Sequence, residues 1–186
     1  MTNWLRVANG IKRTVGSKMT ALGLAYVAEL VEQAPEGVLV DLGTWNGASA
    51  LMMAKADPER WVVSIDNYQE PEDAITGKGQ RPTFEQVSRR LDGRLVSLMV
   101  QDTADLTPIP EVWDFALVLV DADHTGWGVR RDIEAWAPLV VDGGIMAFDD
   151  YGSARWPEVK PTVDALMGDW ERLGVRGGVA AYRRSL

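Results

Sequence analysis

Short apolar runs in this chain end repeatedly on acidic residues. They are Val38-Leu-Val-Asp41, Trp61-Val-Val-Ser-Ile-Asp66, Arg94 to Val100 before Gln101-Asp102, Trp113 to Val120 before Asp121, and Gly143 to Phe148 before Asp149. Each reads as a buried strand. Between the runs the period lengthens to that of a helix. Leu22, Tyr26, Val27, Leu30 and Val31 predict a helix opened by Thr20 and closed by Pro35 and Gly37. Ala48 to Ala56 predicts a second, stopped at Asp57-Pro58. Thr83-Phe-Glu-Gln86 has the form of a capping box and opens a helix with Phe84, Val87 and Leu91 on one face. Val129, Ile133 and Trp136 mark another, ending at Pro138. Val159, Val163, Leu166, Met167 and Trp170 mark the last, with Pro157 in its first turn. Glu171 to Val175 and Val179 to Arg183 predict two closing strands around Gly177-Gly178. Residues 1–19, interrupted by Gly10 and Gly16, read as an arm or a short helix that packs late. The polar stretch Asn67 to Pro82 is long enough to be a lid or binding loop.

Alternating strands and helices predict an α/β fold around a mainly parallel sheet covered on both faces. The link between the closing strands is too short for a crossover, so the last strand should run antiparallel. Residues 1–186 read as a single domain, with 1–19 an N-terminal arm and 20–186 the core. Ligands of such sheets sit at the carboxyl ends of the strands. Asp41, Asp66, Asp102, Asp121 and Asp149 all fall there, so they should converge on one edge.

Composition narrows the class. Hydrophobic residues make up 46% and charged residues 25%, as in a soluble globular protein. The formal charge of −8 disfavours nucleic acid and anionic membranes as partners. The absence of cysteine removes thiolate chemistry and disulfides. Neither a signal-like stretch nor a bilayer-length apolar run occurs, which makes the expected location cytoplasmic.

Leu42-Gly-Thr-Trp-Asn-Gly47 follows the first strand. Gly43 and Gly47 permit a tight turn and close approach of a ligand to the backbone, although a plain strand-to-helix turn needs the same residues. Asp66, about 20 residues further on, can accept hydrogen bonds from two ribose hydroxyls. Asp102 is placed for a purine amino group, or else is an ordinary loop carboxylate. Thr44, Trp45 and Asn46 fill the interval between the glycines, so the spacing of a dinucleotide site is missing. A bulky Trp45 also crowds the place of a pyrophosphate. A nucleoside without phosphate fits better.

Val38-Leu-Val-Asp-Leu-Gly-Thr-Trp-Asn-Gly47 resembles the first cofactor motif of class I S-adenosylmethionine-dependent methyltransferases. The resemblance runs from about Leu22 to Tyr182. It implies a Rossmann-like, doubly wound, seven-stranded sheet, and cofactor contacts at Asp41, Gly43, Thr44, Trp45 and Gly47. It extends those contacts to Asp66, Asn67, Asp102 and Asp121. Asp121-Ala-Asp-His124, Gly143-Gly144, Phe148-Asp-Asp-Tyr151 and Trp156 to Val163 look most like the metal-dependent small-molecule and sugar O-methyltransferases. The catechol and caffeoyl-CoA type is a more distant likeness. The resemblance makes Asp121, Asp149 and Asp150 the metal ligands, and three hard carboxylates suit Mg²⁺. It makes His124, in the place of the family's lysine, or else Asp123, the catalytic base. The implied acceptor is a small hydroxylated molecule, such as a vicinal diol or a catechol. Trp127, Tyr151 and Trp156 either line its pocket or simply pack. The N-terminal arm offers a contact for a homodimer.

Other readings remain open on these residues. The Asp pair could be structural in a metal-independent methyltransferase. A nicotinamide-dependent oxidoreductase would share the sheet, against the missing third glycine. A cofactor-binding domain without activity would share the pocket.

Overall fold

The computed structural model describes residues 2–67, 89, 95–99, 102–106 and 113–185. Its elements are α1 (Trp4–Thr14), α2 (Ala21–Gln33), β1 (Val38–Leu42), α3 (Ala48–Ala56), β2 (Val62–Asp66) and β3 (Leu95–Met99). There follow β4 (Phe115–Val120), α4 (Gly126–Trp136), a 3-10 turn (Ala137–Leu139), β5 (Val140–Phe148), α5 (Val159–Leu166), β6 (Glu171–Arg176) and β7 (Val179–Arg183). The expected helix from Thr83 and the Asn67–Pro82 loop lie almost entirely outside the described residues.

The sheet order is β3-β2-β1-β4-β5-β7-β6. Pairing is parallel from β3 to β5, and β7 runs antiparallel to both β5 and β6. Alternate strand residues face opposite layers. Leu39, Leu117, Leu119, Ile145 and Ala147 join the core under α1, α2 and α3. Val40, Leu42, Val118, Val120, Met146 and Phe148 join the core under α4 and α5. A sheet buried on both sides needs this near-continuous apolar content in its strands.

The register sets the functional edge. Leu42 pairs with Val120, and Val120 with Phe148. The ladder continues one residue further, through Asp121 N–H to the Leu42 carbonyl (2.9 Å) and Asp149 N–H to the Val120 carbonyl (3.1 Å). The carboxylates of neighbouring strand ends are therefore held side by side.

Several sequence expectations are corrected. For residues 4–14, the helix is the one of the two alternatives that is observed; it buries Ala8 and Ile11, and Gly10 lies inside it. Leu22 is 51% exposed rather than inward, because α2 buries Leu24, Tyr26, Val27, Leu30 and Val31 instead. β4 begins at Phe115, not Trp113. β5 begins at Val140, because Gly143 and Gly144 lie within an irregular stretch of the strand rather than before it. α5 starts at Val159 and ends at Leu166, short of Trp170. Pro161 is its third residue, where the missing N–H would have had no helical partner anyway.

Candidate active site

One cavity of about 1000 Å³ opens at the carboxyl ends of the strands. Gly43, Thr44, Trp45, Asp66, Asn67, Asp102, Asp121, Asp123, His124, Asp149 and Asp150 all line it. The fold thus gathers these residues from five strand ends. Trp127 and Trp156 line it too, whereas Tyr151 does not.

The floor is the glycine loop. Gly43 has φ +92°, and a Cβ there would stand 2.1 Å from the Asp121 carbonyl oxygen. Only glycine lets the first loop lie this close to the end of β4. Trp45 is also left-handed, at φ +42°. Its backbone N–H donates to the Asp66 carboxylate at 2.8 Å, tying the loop to the end of β2. Thr44 and Ser64 hydroxyls meet at 2.5 Å beneath it.

Two expected cofactor contacts do not reach the cavity. Asp41 is fully buried under the loop, where the Ser64 hydroxyl donates to it at 3.2 Å. Burial pushes its carboxyl up to about 7, against the lowering effect of the Ser49 and Ser64 hydroxyls. Gly47 is the left-handed N-cap of α3. Both shape the loop rather than face a ligand.

Asp102 borders the cavity as expected but is engaged. It accepts from Ala104 N–H at 2.9 Å and pairs with Arg131 at 2.5 Å. The loop around it is fastened to α4. The Thr103 hydroxyl donates to Asp132 at 2.6 Å, and the Trp136 indole donates to the Thr103 carbonyl at 2.8 Å. Asp132, buried and pushed up to about 7 by that burial, was missed in the sequence. Its signal was available: it stands among Val129, Ile133 and Trp136 on the inward stripe of α4, an unusual place for a carboxylate.

The acidic centre lies between β4 and β5. His124 Nε2 is 3.2 Å from both Asp121 and Asp150. The imidazole ring stacks on Trp156, with centroids 4.8 Å apart and planes 21° from parallel. Burial disfavours the charged imidazole, but hydrogen bonds to the two carboxylates outweigh it and raise its pKa to about 10. The same hydrogen bond holds Asp150 below the usual carboxylate range. Asp149 is 8% exposed, and burial together with the nearby Asp121 charge lifts its pKa to about 8. Asp150 adopts φ +54°, an uncommon conformation for a residue with a side chain. Ligand atoms of Asp121, His124 and Asp150 lie within 4.8 Å of one another. Asp149, expected in that group, is on the cavity wall beside it.

Asp123 has a different setting. Its carboxylate accepts from Thr125 N–H at 2.9 Å and packs where a side chain on Gly128 would be. It shapes the turn into α4, whose N-cap Thr125 accepts from Gly128 N–H.

The donor set fits a hard divalent cation. Three carboxylates and an imidazole crowd one edge, and one carboxyl resists ionisation because of burial and of the Asp121 charge; a bound cation would favour its ionised form. Lys18, Ser17 and Met19 of the α1–α2 connector, together with Arg131 and Arg155, also line the cavity. No periodic pattern in the sequence marks them.

Comparison with known proteins agrees with this layout. Residues 40–151 match a family model described as a methyltransferase domain. An uncharacterized protein of Acanthamoeba polyphaga mimivirus is 26% identical over 137 residues, 70% of this chain and 59% of that protein. The chain therefore spans about three fifths of the length of this curated relative. The fold is similar to that of the O-methyltransferase NovP, with a TM-score of 0.68 and 20% identity over 98% of this chain and 88% of NovP. It is also similar to the MycE methyltransferase of the mycinamycin biosynthetic pathway, solved with Mg, SAH and mycinamycin VI. There the TM-score is 0.67, with 16% identity over 99% of this chain and 55% of MycE. At such identities the likeness to solved structures is one of fold. The family match covers more than half of the chain, and the chain belongs to that family of methyltransferase domains.

Proposed function

We propose that the protein is a Mg²⁺-dependent O-methyltransferase acting on a small hydroxylated acceptor. The observation that carries this reading is the juxtaposition of His124 with Asp121 and Asp150, 3.2 Å from each, at the mouth of the cofactor cavity. NovP is an O-methyltransferase, and MycE was solved with Mg; both lend support.

When bound, S-adenosylmethionine would supply an electrophilic methyl group, and Mg²⁺ held by Asp121, Asp149 and Asp150 would lower the pKa of an acceptor hydroxyl. The chain's own residues do the rest. Asp66 anchors the ribose end, and the Gly43 turn lets the donor lie against the backbone. With the charge of the carboxylates neutralised, His124 no longer needs its second proton. Its Nε2 would then accept the proton of the acceptor hydroxyl. Trp156 holds the ring in plane for that transfer. Asp123 lines the cavity too, but its carboxylate accepts from Thr125 N–H, which supports His124 as the base.

A metal-independent methyltransferase is the second reading, since a protonated His124 can itself neutralise Asp121 and Asp150. A small-molecule acceptor, a cytoplasmic location and freedom from nucleic acid and membrane partners belong to the proposal as well. No helix among the described residues is long and apolar enough to cross a membrane.

His124→Ala and Asp123→Asn separate the two candidate bases. We expect His124→Ala to lower turnover by about 10²–10⁴ with S-adenosylhomocysteine binding retained. Asp123→Asn should leave turnover within an order of magnitude. The reverse outcome makes Asp123 the base.

A further inference from the structure

Asp150 stands in the left-handed region, at φ +54°, and its carboxylate reaches His124 at 3.2 Å. A residue with a side chain holds that conformation only where its surroundings fix it. The residue before it is fixed by the sheet, because Asp149 N–H donates to the Val120 carbonyl at 3.1 Å. The residue after it is Tyr151, which lies outside the large cavity and is buried. Its backbone N–H donates to the Gly178 carbonyl at 2.9 Å. The turn closes with Ser153 N–H on the Asp150 carbonyl, also at 2.9 Å.

The Tyr151 side chain ties this turn to three further elements. Its hydroxyl donates to Asp164 of α5 at 2.5 Å and accepts from Arg172 of β6 at 3.2 Å. The Tyr182 hydroxyl of β7 donates to the same Asp164 oxygen at 3.4 Å. Lys160, one turn before Asp164 on α5, pairs with the other oxygen. The two cations also lie against the phenol ring, with Lys160 Nζ 5.2 Å and Arg172 Cζ 5.5 Å from its centroid. Hydrogen bonds from Lys160 and Tyr151 hold the Asp164 carboxyl below the usual carboxylate range, so it stays an ionised acceptor for the phenol. The hydroxyl thus both donates and accepts, each time to a charged partner, and such bonds are the stronger kind. The proposed reaction uses none of these groups, and Asp164, Lys160 and Arg172 do not line the large cavity.

We propose that Tyr151 is a positioning residue for the metal site: its hydroxyl, tied to Asp164 and Arg172, keeps Asp150 turned towards Asp121 and His124. The inference rests on the Mg²⁺ reading of that centre and extends it to the residue behind it. Without the tether, Asp150 relaxes towards an ordinary backbone conformation and its carboxylate withdraws from the centre. The adenosine end of the cavity, built on the Gly43 turn and Asp66, is left as it was.

The test is calorimetric titration of the full chain with Mg²⁺ alone and, separately, with S-adenosylhomocysteine. It compares the wild type, Tyr151→Phe, Asp164→Ala and the double variant. Phenylalanine keeps the buried ring and removes only the hydroxyl. Asp164 is exposed, and its truncation tests the same link without touching that ring. We expect Tyr151→Phe to weaken Mg²⁺ by about tenfold, the scale of losing an outer-shell partner of a ligand, with S-adenosylhomocysteine affinity unchanged. Asp164→Ala should weaken Mg²⁺ in the same direction. The double variant should be no weaker than Tyr151→Phe, because both changes break one link. Unchanged Mg²⁺ affinity in Tyr151→Phe, even with a lowered Tm, overturns the proposal and leaves Tyr151 a packing residue. Equal losses for both ligands overturn it too, as a general loosening of the fold. Additive losses in the double variant overturn the link through Asp164. A wild type that binds S-adenosylhomocysteine but not Mg²⁺ overturns the metal reading and this inference with it.

Discussion

Metal binding should expel protons from the acidic centre, and the structure sets how many. In the metal-free protein His124 has its pKa raised to about 10, because Asp121 and Asp150 favour the imidazolium despite burial. Asp149 is raised to about 8 by burial and by Asp121. Asp150 is held low by His124 and is already ionised at neutral pH. A divalent cation among these carboxylates removes the reason for both raised values. At pH 8 the imidazole then falls from about 0.99 protons bound to about 0.03 if it returns to its ordinary value of 6.5. Asp149, also raised, adds a share common to the wild type and His124→Gln. The wild type should release about one more proton per Mg²⁺ at pH 8 than His124→Gln. At pH 6 the His124 share should shrink to about 0.2, because a metal-linked imidazole would itself be mostly protonated there. Calorimetric titration of Mg²⁺ in two buffers of different ionisation enthalpy measures the release directly. Equal release from wild type and His124→Gln at pH 8 would refute the reasoning.

Two further outcomes follow from the glycine loop. Asp41 has a folded-state pKa of about 7 against an ordinary 3.8, so the native state holds a proton that the unfolded chain gives up. Its contribution is present at low pH and is lost as pH rises from about 4 to 7. Between pH 5 and pH 8 this amounts to about 2–3 kcal/mol. Asp41→Asn should flatten the stability curve by that amount in urea denaturation; identical slopes would show that the buried carboxyl is not the cause. Gly43→Ala places a Cβ 2.1 Å from the Asp121 carbonyl oxygen at positive φ. We expect about 3 kcal/mol or more of destabilisation, read as a lowered Tm, or a folded protein that no longer binds S-adenosylhomocysteine.

Strand ends were the most legible part of this protein. An apolar run that stops at an aspartate reports both a buried strand and a carboxylate at its carboxyl end. Topology then brings these ends together without further information. What the sequence concealed depends on contacts between distant segments. Leu22 fits the period of α2 but faces out, because the packing angle, not the period, selects the buried side. Gly10 is tolerated in α1 since Ala8 and Ile11 supply tertiary contacts. Asp123 reads as a candidate base in one dimension; the hydrogen bond it accepts from Thr125 N–H and its packing beside Gly128 appear only in the fold. Lys18 has no signature at all, because its placement depends on Lys12 and Asn46, six residues before it and twenty-eight after. The separation of His124 from the metal-ligand list also blurs once folded, since its Nε2 lies in the midst of those carboxylates.

On the proposed mechanism, this edge transfers a methyl group to a metal-activated hydroxyl. The most direct test is methyl transfer from S-adenosylmethionine to a panel of vicinal diols and catechols. Product would be followed by mass spectrometry after EDTA treatment and again after restoring Mg²⁺. We expect an O-methylated product that disappears with EDTA and returns with Mg²⁺. Product formation that persists undiminished in EDTA would contradict it.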